Sequence, residues 1–301
     1  MRRTSVFLFK LVVVAVAVSA CSGGGNESRR LSDACEAGDA SACNDFAYRL
    51  LGGEQVLQDE PRAAVLFEQS CEAGIAESCA RLGSQYETGA GVERDSARAV
   101  PLYRRACDGG AVAGCLSLGI LYQDGATVPK DLGLAAELFE KACDGEQAPA
   151  CLRLGLLELS GDAAGPDASR AADLFGQACD ADLMAACVEM ARLYAAGTGV
   201  AKDVEGAIAL YRRACEGNAP AGCFHLGDLY ATGAGVAQDF EEAAGLYRRA
   251  CDRRHAEGCY GLAVLHQNGA GVPRQPARAA ALLRRACDLG YADACTDSRG
   301  S

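Results

Sequence analysis

The sequence predicts an all-α protein, an α/α solenoid (superhelix) of about seven 36-residue helix-turn-helix repeats cross-linked by disulfides. One observation is a pair of cysteines, eight positions apart, that recurs every 36 residues without an insertion or a deletion. Another is a glycine ten positions after the second cysteine, from Gly53 to Gly269. A fixed period of this length is typical of stacked-repeat proteins. The pairs are Cys35 and Cys43, Cys71 and Cys79, Cys107 and Cys115, Cys143 and Cys151, Cys179 and Cys187, Cys215 and Cys223, Cys251 and Cys259, and Cys287 and Cys295.

The spacing within each pair requires either unpaired cysteines or a turn of the chain between them. On one straight helix, eight residues separate two Cα atoms by about 12 Å, whereas a disulfide needs less than roughly 7 Å. Glycines such as Gly109 and Gly110 favour the turn, and local disulfides are the simplest prediction. Zinc is the alternative, although zinc ligands are usually two to four residues apart and no histidine recurs with the pairs.

Residues 1–20 are predicted to be a targeting segment. Arg2 and Arg3 are followed by an apolar run that is shorter than the roughly 20 residues of a membrane span. The small residues at the end of the segment precede Cys21, the one cysteine outside the pairs, and this arrangement resembles a bacterial lipobox. The resemblance implies cleavage before Cys21 and lipid attachment to it, and Ser22 then implies the outer membrane. An ordinary cleaved signal with a chance cysteine is the alternative.

Both interpretations of the leader place the mature chain outside the cytoplasm, where disulfides persist. Residues 21–29 are expected to form a lipidated flexible tether, because they are rich in glycine and polar residues. The repeats are expected to form a single solenoid domain over residues 30–297.

The first helix of each repeat begins near the second cysteine and is predicted to end at the recurring glycine. The third position after that cysteine is apolar, as in Leu82, and predicts a core stripe. The next position is always Gly or Ala, as in Gly83. Since glycine within a helix costs roughly 1 kcal/mol relative to alanine, its recurrence predicts a close approach between helices.

The second helix follows a glycine-containing loop and is predicted to begin after an aspartate. Aspartate accepts hydrogen bonds from free backbone N–H groups and is therefore a favourable N-cap; Gln275 interrupts the series in the last repeat. The in-phase aspartates are Asp59, Asp95, Asp131, Asp167, Asp203 and Asp239. A leucine-aromatic pair, as in Leu102 and Tyr103, then recurs and predicts the buried face of the second helix.

The pattern Leu-Gly…Tyr…Gly-x-Gly-Val…Asp…Ala…Leu-Tyr…Ala, clearest at residues 82–106 and 226–250, resembles the Sel-like repeat family, which is related to the tetratricopeptide repeat. The in-phase cysteines make it similar to the Hcp-type cysteine-rich subgroup. The resemblance covers about residues 30–297 and implies the solenoid fold. Departures are Leu50, Glu158 and His266 in place of the usual tyrosine, and a loop at 161–167 without its valine.

The net charge of the chain disfavours some classes of binding partner. The sequence contains 29 basic and 40 acidic residues and has a net charge of −11. An acidic surface disfavours nucleic acid and anionic membrane as partners. We therefore expect a protein or extended peptide of the cell envelope as partner, membrane contact through the lipid anchor only, and a monomer.

No catalytic residue, cofactor or metal site is predicted. A penicillin-type enzyme requires Ser-x-x-Lys, and the nearest match is Thr127-x-x-Lys130 in a repeat loop. The three histidines, His225, His255 and His266, lie in two adjacent repeats. They are interpreted as isolated surface residues, with a shared site as the alternative.

A binding groove is predicted along the first helices, which the family resemblance places on the concave face. The second and fifth positions after the second cysteine vary between repeats, while the framework positions hardly vary. We call these variable residues the groove residues; they are Arg81, Ser84, Ser117, Ile120, Arg153, Leu156, Glu189, Arg192, His225 and Asp228. A merely solvated face is the alternative.

These observations favour an envelope lipoprotein that acts as a non-catalytic protein- or peptide-binding adaptor. It is expected in the bacterial envelope, anchored in the outer membrane and facing the periplasm or the cell surface. The Hcp-type resemblance implies an alternative, a weak penicillin-binding protein or β-lactamase, which no residue set in this sequence supports. A purely structural spacer or host-facing surface factor is a third hypothesis.

Overall fold

A computed structural model describes residues 24–162 and 165–297, and the regular structure of this part of the chain is entirely α-helical. The predicted leader (1–20) and Cys21 lie outside the described residues. The chain divides into two compact units, residues 1–141 and 142–301, with the boundary inside a helix. Among the described residues, no helix has both the length and the apolar character needed to cross a membrane.

The first unit contains consecutive antiparallel helices, each of 13 residues. They are α1 (Gly24–Glu36), α2 (Ala40–Gly52), α3 (Glu60–Glu72), α4 (Ala76–Thr88), α5 (Ser96–Asp108), α6 (Val112–Asp124) and α7 (Leu132–Asp144), of which α7 crosses the boundary between the units.

The second unit continues the same alternation of helices and turns. Its helices are α8 (Ala148–Ser160), α9 (Ala168–Asp180), α10 (Met184–Ala196), α11 (Val204–Glu216), α12 (Pro220–Thr232), α13 (Phe240–Asp252), α14 (Ala256–Asn268), α15 (Pro276–Asp288) and the short α16 (Ala292–Asp297). The prediction of helix-turn-helix repeats is confirmed.

The tether predicted at residues 21–29 requires a correction, because α1 begins at Gly24 and residues 24–29 are helical. Leu31 packs against the core around α2 and α3. Glu27 also forms an ion pair with Arg49, with 3.1 Å between Oε2 and Nη2. These contacts provide a reason for helix in a segment whose composition alone favours a flexible chain.

All eight cysteine pairs form the predicted local disulfides. The Cα atoms of each pair lie 4.5–4.8 Å apart, because the chain reverses direction between the last turn of an odd-numbered helix and the first turn of the next even-numbered helix. The bonded pairs are Cys35 with Cys43, Cys71 with Cys79, Cys107 with Cys115, Cys143 with Cys151, Cys179 with Cys187, Cys215 with Cys223, Cys251 with Cys259, and Cys287 with Cys295. Their number indicates an oxidising compartment outside the cytoplasm.

The second cysteine of each pair lies inside an even-numbered helix and not at its first residue. Helix α4, for example, begins at Ala76, three residues before Cys79. The even-numbered helices therefore begin almost one turn earlier than the predicted start near the second cysteine. These second cysteines are buried, except for Cys295 in the short last helix, which is half-buried; the buried ones are Cys43, Cys79, Cys115, Cys151, Cys187, Cys223 and Cys259. They therefore belong to the structural core and not to a surface site.

The predicted close approach of the two helices of a repeat is confirmed. A methyl group added at Gly83 would lie 2.8 Å from the Tyr103 ring. The same addition at Gly155 would lie 2.6 Å from the Phe175 ring. The small residue therefore allows the aromatic ring of the second helix to lie directly on the backbone of the first.

The predicted helix ends are also confirmed. Each of the six aspartates accepts a backbone N–H from the first turn of the following helix, and Gln275 makes no such bond. Gly53, Gly89 and their equivalents end the even-numbered helices in the left-handed conformation, with φ between 65° and 83°. These caps fix where the odd-numbered helices begin and where the even-numbered helices end.

Candidate functional site

The even-numbered helices carry all ten groove residues. Within the first unit α4 contacts α6, and within the second α12 contacts both α10 and α14. Every groove residue is exposed or half-buried, and none belongs to the core. The structure therefore places these residues at the surface, on helices that approach one another from repeat to repeat.

In the first unit, the hydroxyl of Tyr103 connects groove residues of two repeats. It donates a hydrogen bond to Oε2 of Glu87 at 2.7 Å. Burial, and then the Glu87 carboxylate, raise the pKa of Tyr103. Ser84 of α4 and Ser117 of α6 lie close enough to this hydroxyl to lower its pKa slightly. The tyrosine therefore stays neutral and donates its proton into a small polar network.

Arg81 extends the surface of the first unit toward the preceding repeat. Its Nε donates to the hydroxyl of Tyr48 at 2.9 Å, and its guanidinium lies 5.0 Å from the centre of that ring. This geometry combines a hydrogen bond with a cation–π contact. Tyr48 occupies the fifth position of its own repeat, so the second position of one repeat here contacts the fifth position of the one before.

In the second unit, five rings form a group that we call the aromatic cluster: Tyr211, Phe224, His225, Tyr247 and His255. The ring centre of Phe224 lies 5.1 Å from those of His225 and His255 and 6.0 Å from that of Tyr247. His225 in turn lies 5.1 Å from Tyr211. These distances are typical of interacting rings, so α11, α12, α13 and the start of α14 contribute to one cluster.

Charged groups surround the aromatic cluster. The Tyr247 hydroxyl donates to the Asp228 carboxylate at 2.6 Å. Glu189 and Arg192 form an ion pair within α10, at 2.7 Å. The carboxylate of Glu257 lies 3.4 Å from Nδ1 of the His255 ring. Acidic groups therefore flank the rings on several helices.

Burial keeps the two imidazoles of the cluster neutral at pH 7. Burial, helped by the positive charge of Arg192, lowers the pKa of His225 to about 4. Burial also lowers the pKa of His255, while Glu257 opposes that effect. Desolvation raises the pKa of Tyr211 to about 12. At pH 7 the rings of the cluster are therefore uncharged.

The interpretation of the histidines as isolated surface residues is wrong. His225 and His255 belong to the same cluster, and Nδ1 of His255 also accepts the backbone N–H of Gly258 at the start of α14. His266 is buried instead, and its Nδ1 lies 3.1 Å from the carbonyl oxygen of Pro273. The reason is that the fold stacks adjacent repeats, which brings Phe224 and His255, 31 residues apart, into contact.

The sequence prediction assigned Tyr103 and its equivalents to the buried face and gave their hydroxyls no role at the groove, although the sequence carries a signal for that role. At the buried aromatic position the chain has tyrosine where the fifth position is polar, and phenylalanine where it is Tyr48 or aliphatic. A buried tyrosine hydroxyl needs a polar partner. The pairs are Tyr103 with Ser84, Tyr211 with Arg192, Tyr247 with Asp228, Phe67 with Tyr48, Phe139 with Ile120, and Phe175 with Leu156.

The structure also locates the nearest match to Ser-x-x-Lys and the side chains that commonly bind metal ions. Thr127 and Lys130 both lie in the loop between α6 and α7. Across residues 24–162 and 165–297, no group of three or more histidine, cysteine or acidic side chains is arranged to hold a metal ion.

Comparisons with known proteins agree with this architecture. The Sel1 repeat family model matches seven consecutive segments, residues 40–75, 76–110, 112–146, 148–183, 185–218, 220–255 and 256–291. A comparison with curated protein sequences finds no match.

Two crystal structures share the fold at 23% identity and a TM-score of 0.73. One is c5321, a protective antigen of uropathogenic Escherichia coli strains with an SLR fold; the alignment covers 90% of this chain and 66% of that one, just under two thirds. The other is a Sel1 repeat protein from Oxalobacter formigenes, with 91% and 79% covered.

Cysteine-rich protein B (HcpB) of Helicobacter pylori is 29% identical to this chain in sequence. The alignment covers 42% of this chain and 91% of HcpB, with a TM-score of 0.36. The seven family matches and the shared fold confirm the predicted α/α solenoid class. Since these matches cover most of the sequence, the chain belongs to the Sel1 repeat family.

Proposed function

We propose that this protein is a lipid-anchored scaffold of the bacterial envelope that binds a protein or an extended peptide along its even-numbered helices. It has no chemistry of its own in this proposal and acts as an adaptor. Repeat proteins commonly bind partners on such a surface.

The main support for the proposal is that the backbone geometry is the same from repeat to repeat while the residues at the surface positions vary. The capping aspartates and glycines keep the same backbone geometry from repeat to repeat, as described above. The second and fifth positions nevertheless change in chemistry: Arg153 and Leu156 in one repeat, for example, correspond to His225 and Asp228 in another. A surface that needed only solubility would not require tyrosine hydroxyls directed to its polar positions, as with Tyr247 and Asp228.

The groove can be tested by reversing charges at Arg153 and Arg192, both in the second unit. The matched control reverses Arg212 and Arg248, which are exposed on the odd-numbered helices α11 and α13. The oxidised full chain, in mild detergent, serves as bait for envelope extract. We expect the double variant Arg153→Glu with Arg192→Glu to change capture of its partner by about tenfold, equivalent to 1.4 kcal/mol, and the control pair to change it by less than about twofold. Equal capture by both variants would contradict the proposal.

The anchor is a separate part of the proposal and rests on Ser19-Ala20-Cys21, together with the oxidising compartment that the disulfides indicate. We propose attachment to the outer membrane, facing the periplasm or the cell surface. Metabolic labelling with a radioactive fatty acid should mark the wild-type chain and not Cys21→Ala, whose eight disulfides remain possible because they use the other 16 cysteines. Persistent label in Cys21→Ala would refute the anchor without affecting the groove.

A further inference from the structure

The aromatic cluster of the second unit has a buried floor and a solvent-exposed rim. Tyr211 and Tyr247 are 4% and 5% exposed and form the floor. Phe224 and His225 are half-buried. At the rim, the side chain of Glu257 is 46% exposed. Solvent therefore reaches the half-buried Phe224 and His225 rings, and the two tyrosine rings lie beneath them.

The charges at this surface are mostly negative. Glu189, Asp228 and Glu257 supply three carboxylates, and Arg192 supplies one guanidinium. The imidazoles add no positive charge at pH 7, since their pKa values are lowered, that of His225 to about 4. The combination of neutral rings and carboxylates is complementary to a cation.

Arg192 shows how a guanidinium is accommodated here. It pairs with Glu189 at 2.7 Å, and its charge acts on both the Tyr211 hydroxyl and the His225 ring. Its side chain is 58% exposed, so it can move away from the surface. An incoming guanidinium or ammonium group would find the same partners, with Asp228 and Glu257 in addition.

We propose that the aromatic cluster binds a basic side chain, an arginine or a lysine, of the partner that the even-numbered helices recognise. The inference rests on the scaffold function proposed above and adds the chemistry of its ligand. A cation–π contact with the half-buried Phe224 ring and charge-assisted hydrogen bonds to the carboxylates both favour such a group. Arg192 occupies part of the site and competes with the ligand.

The test uses three fluorescein-labelled octapeptides of alternating glycine with arginine, citrulline or glutamate, titrated against the oxidised full chain in mild detergent. Citrulline keeps the shape of arginine without its charge. Fluorescence anisotropy should show that the arginine peptide binds at least about tenfold more tightly than the citrulline peptide, a difference of 1.4 kcal/mol, and that the glutamate peptide binds least.

Single substitutions test whether the arginine peptide binds at the aromatic cluster. Asp228→Asn should weaken binding of the arginine peptide about five- to tenfold, whereas Glu205→Gln, which removes one exposed charge at the start of α11, should change it by less than about twofold. Arg192→Ala should tighten binding, because it removes the competing cation. This increase cannot come from a loss of folding, so it separates a site effect from destabilisation.

Equal binding of the arginine and citrulline peptides, or weaker binding by Arg192→Ala, would overturn the inference. If charge reversal at Arg153 and Arg192 still changes the capture of an envelope partner, the scaffold function stands and only the basic ligand is wrong. If that capture is absent as well, both proposals fail.

Discussion

Gln85 is a buried polar residue at a core position of α4. It is 4% exposed, and neither polar atom of its side chain has a hydrogen-bond partner among the described residues. The equivalent residues in the five following repeats are Leu121, Leu157, Leu193, Leu229 and Leu265. An unsatisfied buried amide costs roughly 1–3 kcal/mol, so this residue lowers the stability of the first unit.

Replacing Gln85 with leucine should therefore stabilise the protein. We expect Gln85→Leu to raise the free energy of unfolding by about 1–3 kcal/mol, because it removes an unpaired amide and keeps the volume of the side chain. Urea unfolding followed by circular dichroism measures this change. The control, Gln267→Leu on the exposed face of α14, should stay within about 0.5 kcal/mol of wild type. A destabilised Gln85→Leu would show that the amide has a role that the contacts do not reveal.

At the scale of elements, the loops before α5, α11, α13 and α15 pack on the previous repeat through a glycine. A methyl group added at Gly91 would overlap the carbonyl of Glu60 in the first turn of α3. A methyl group added at Gly271 would likewise overlap the carbonyl of Phe240 at the start of α13. Gly91 has φ of 74°, a conformation that glycine adopts most easily. The glycine therefore provides both a turn and a contact surface between repeats.

These two roles can be separated with two alanine variants in the first unit. Gly110 has φ of 89° and no atom within 4 Å of the position of an added methyl group. Gly110→Ala should therefore cost only the backbone strain of about 1–2 kcal/mol. Gly91→Ala adds a steric clash with Glu60 and should cost about 2–5 kcal/mol in urea unfolding. Equal losses would mean that the loop can move off the preceding repeat without cost.

The elements show which features a sequence can reveal. The N-cap of Asp95 and the glycine end of α4 depend on a few neighbouring residues, so spacing alone predicts them. The contact of Phe224 with His255 depends on how adjacent repeats stack. The helical structure of α1 depends on the packing of Leu31 against the core. The glycines at the start of this helix predict a flexible chain instead. Local chemistry was therefore predictable, and the aromatic cluster was not.

At the scale of the whole molecule, six of the eight disulfides join one family match to the next. Cys107 belongs to the family match at 76–110, and its partner Cys115 belongs to the next match, at 112–146. Each bridge closes a loop of nine residues, for which chain entropy alone gives about 2.5 kcal/mol. The bridges therefore reinforce the contacts between neighbouring repeats, which in repeat proteins carry much of the stability.

The same arrangement protects the chain against proteases. The turns inside the disulfide loops carry exposed residues, such as Asp108, Gly109 and Gly110, and exposed turns are preferred cleavage sites. A cut there opens the polypeptide between Cys107 and Cys115, yet the bridge keeps the two fragments covalently joined. A molecule nicked at such a turn would therefore keep all its repeats covalently joined in sequence.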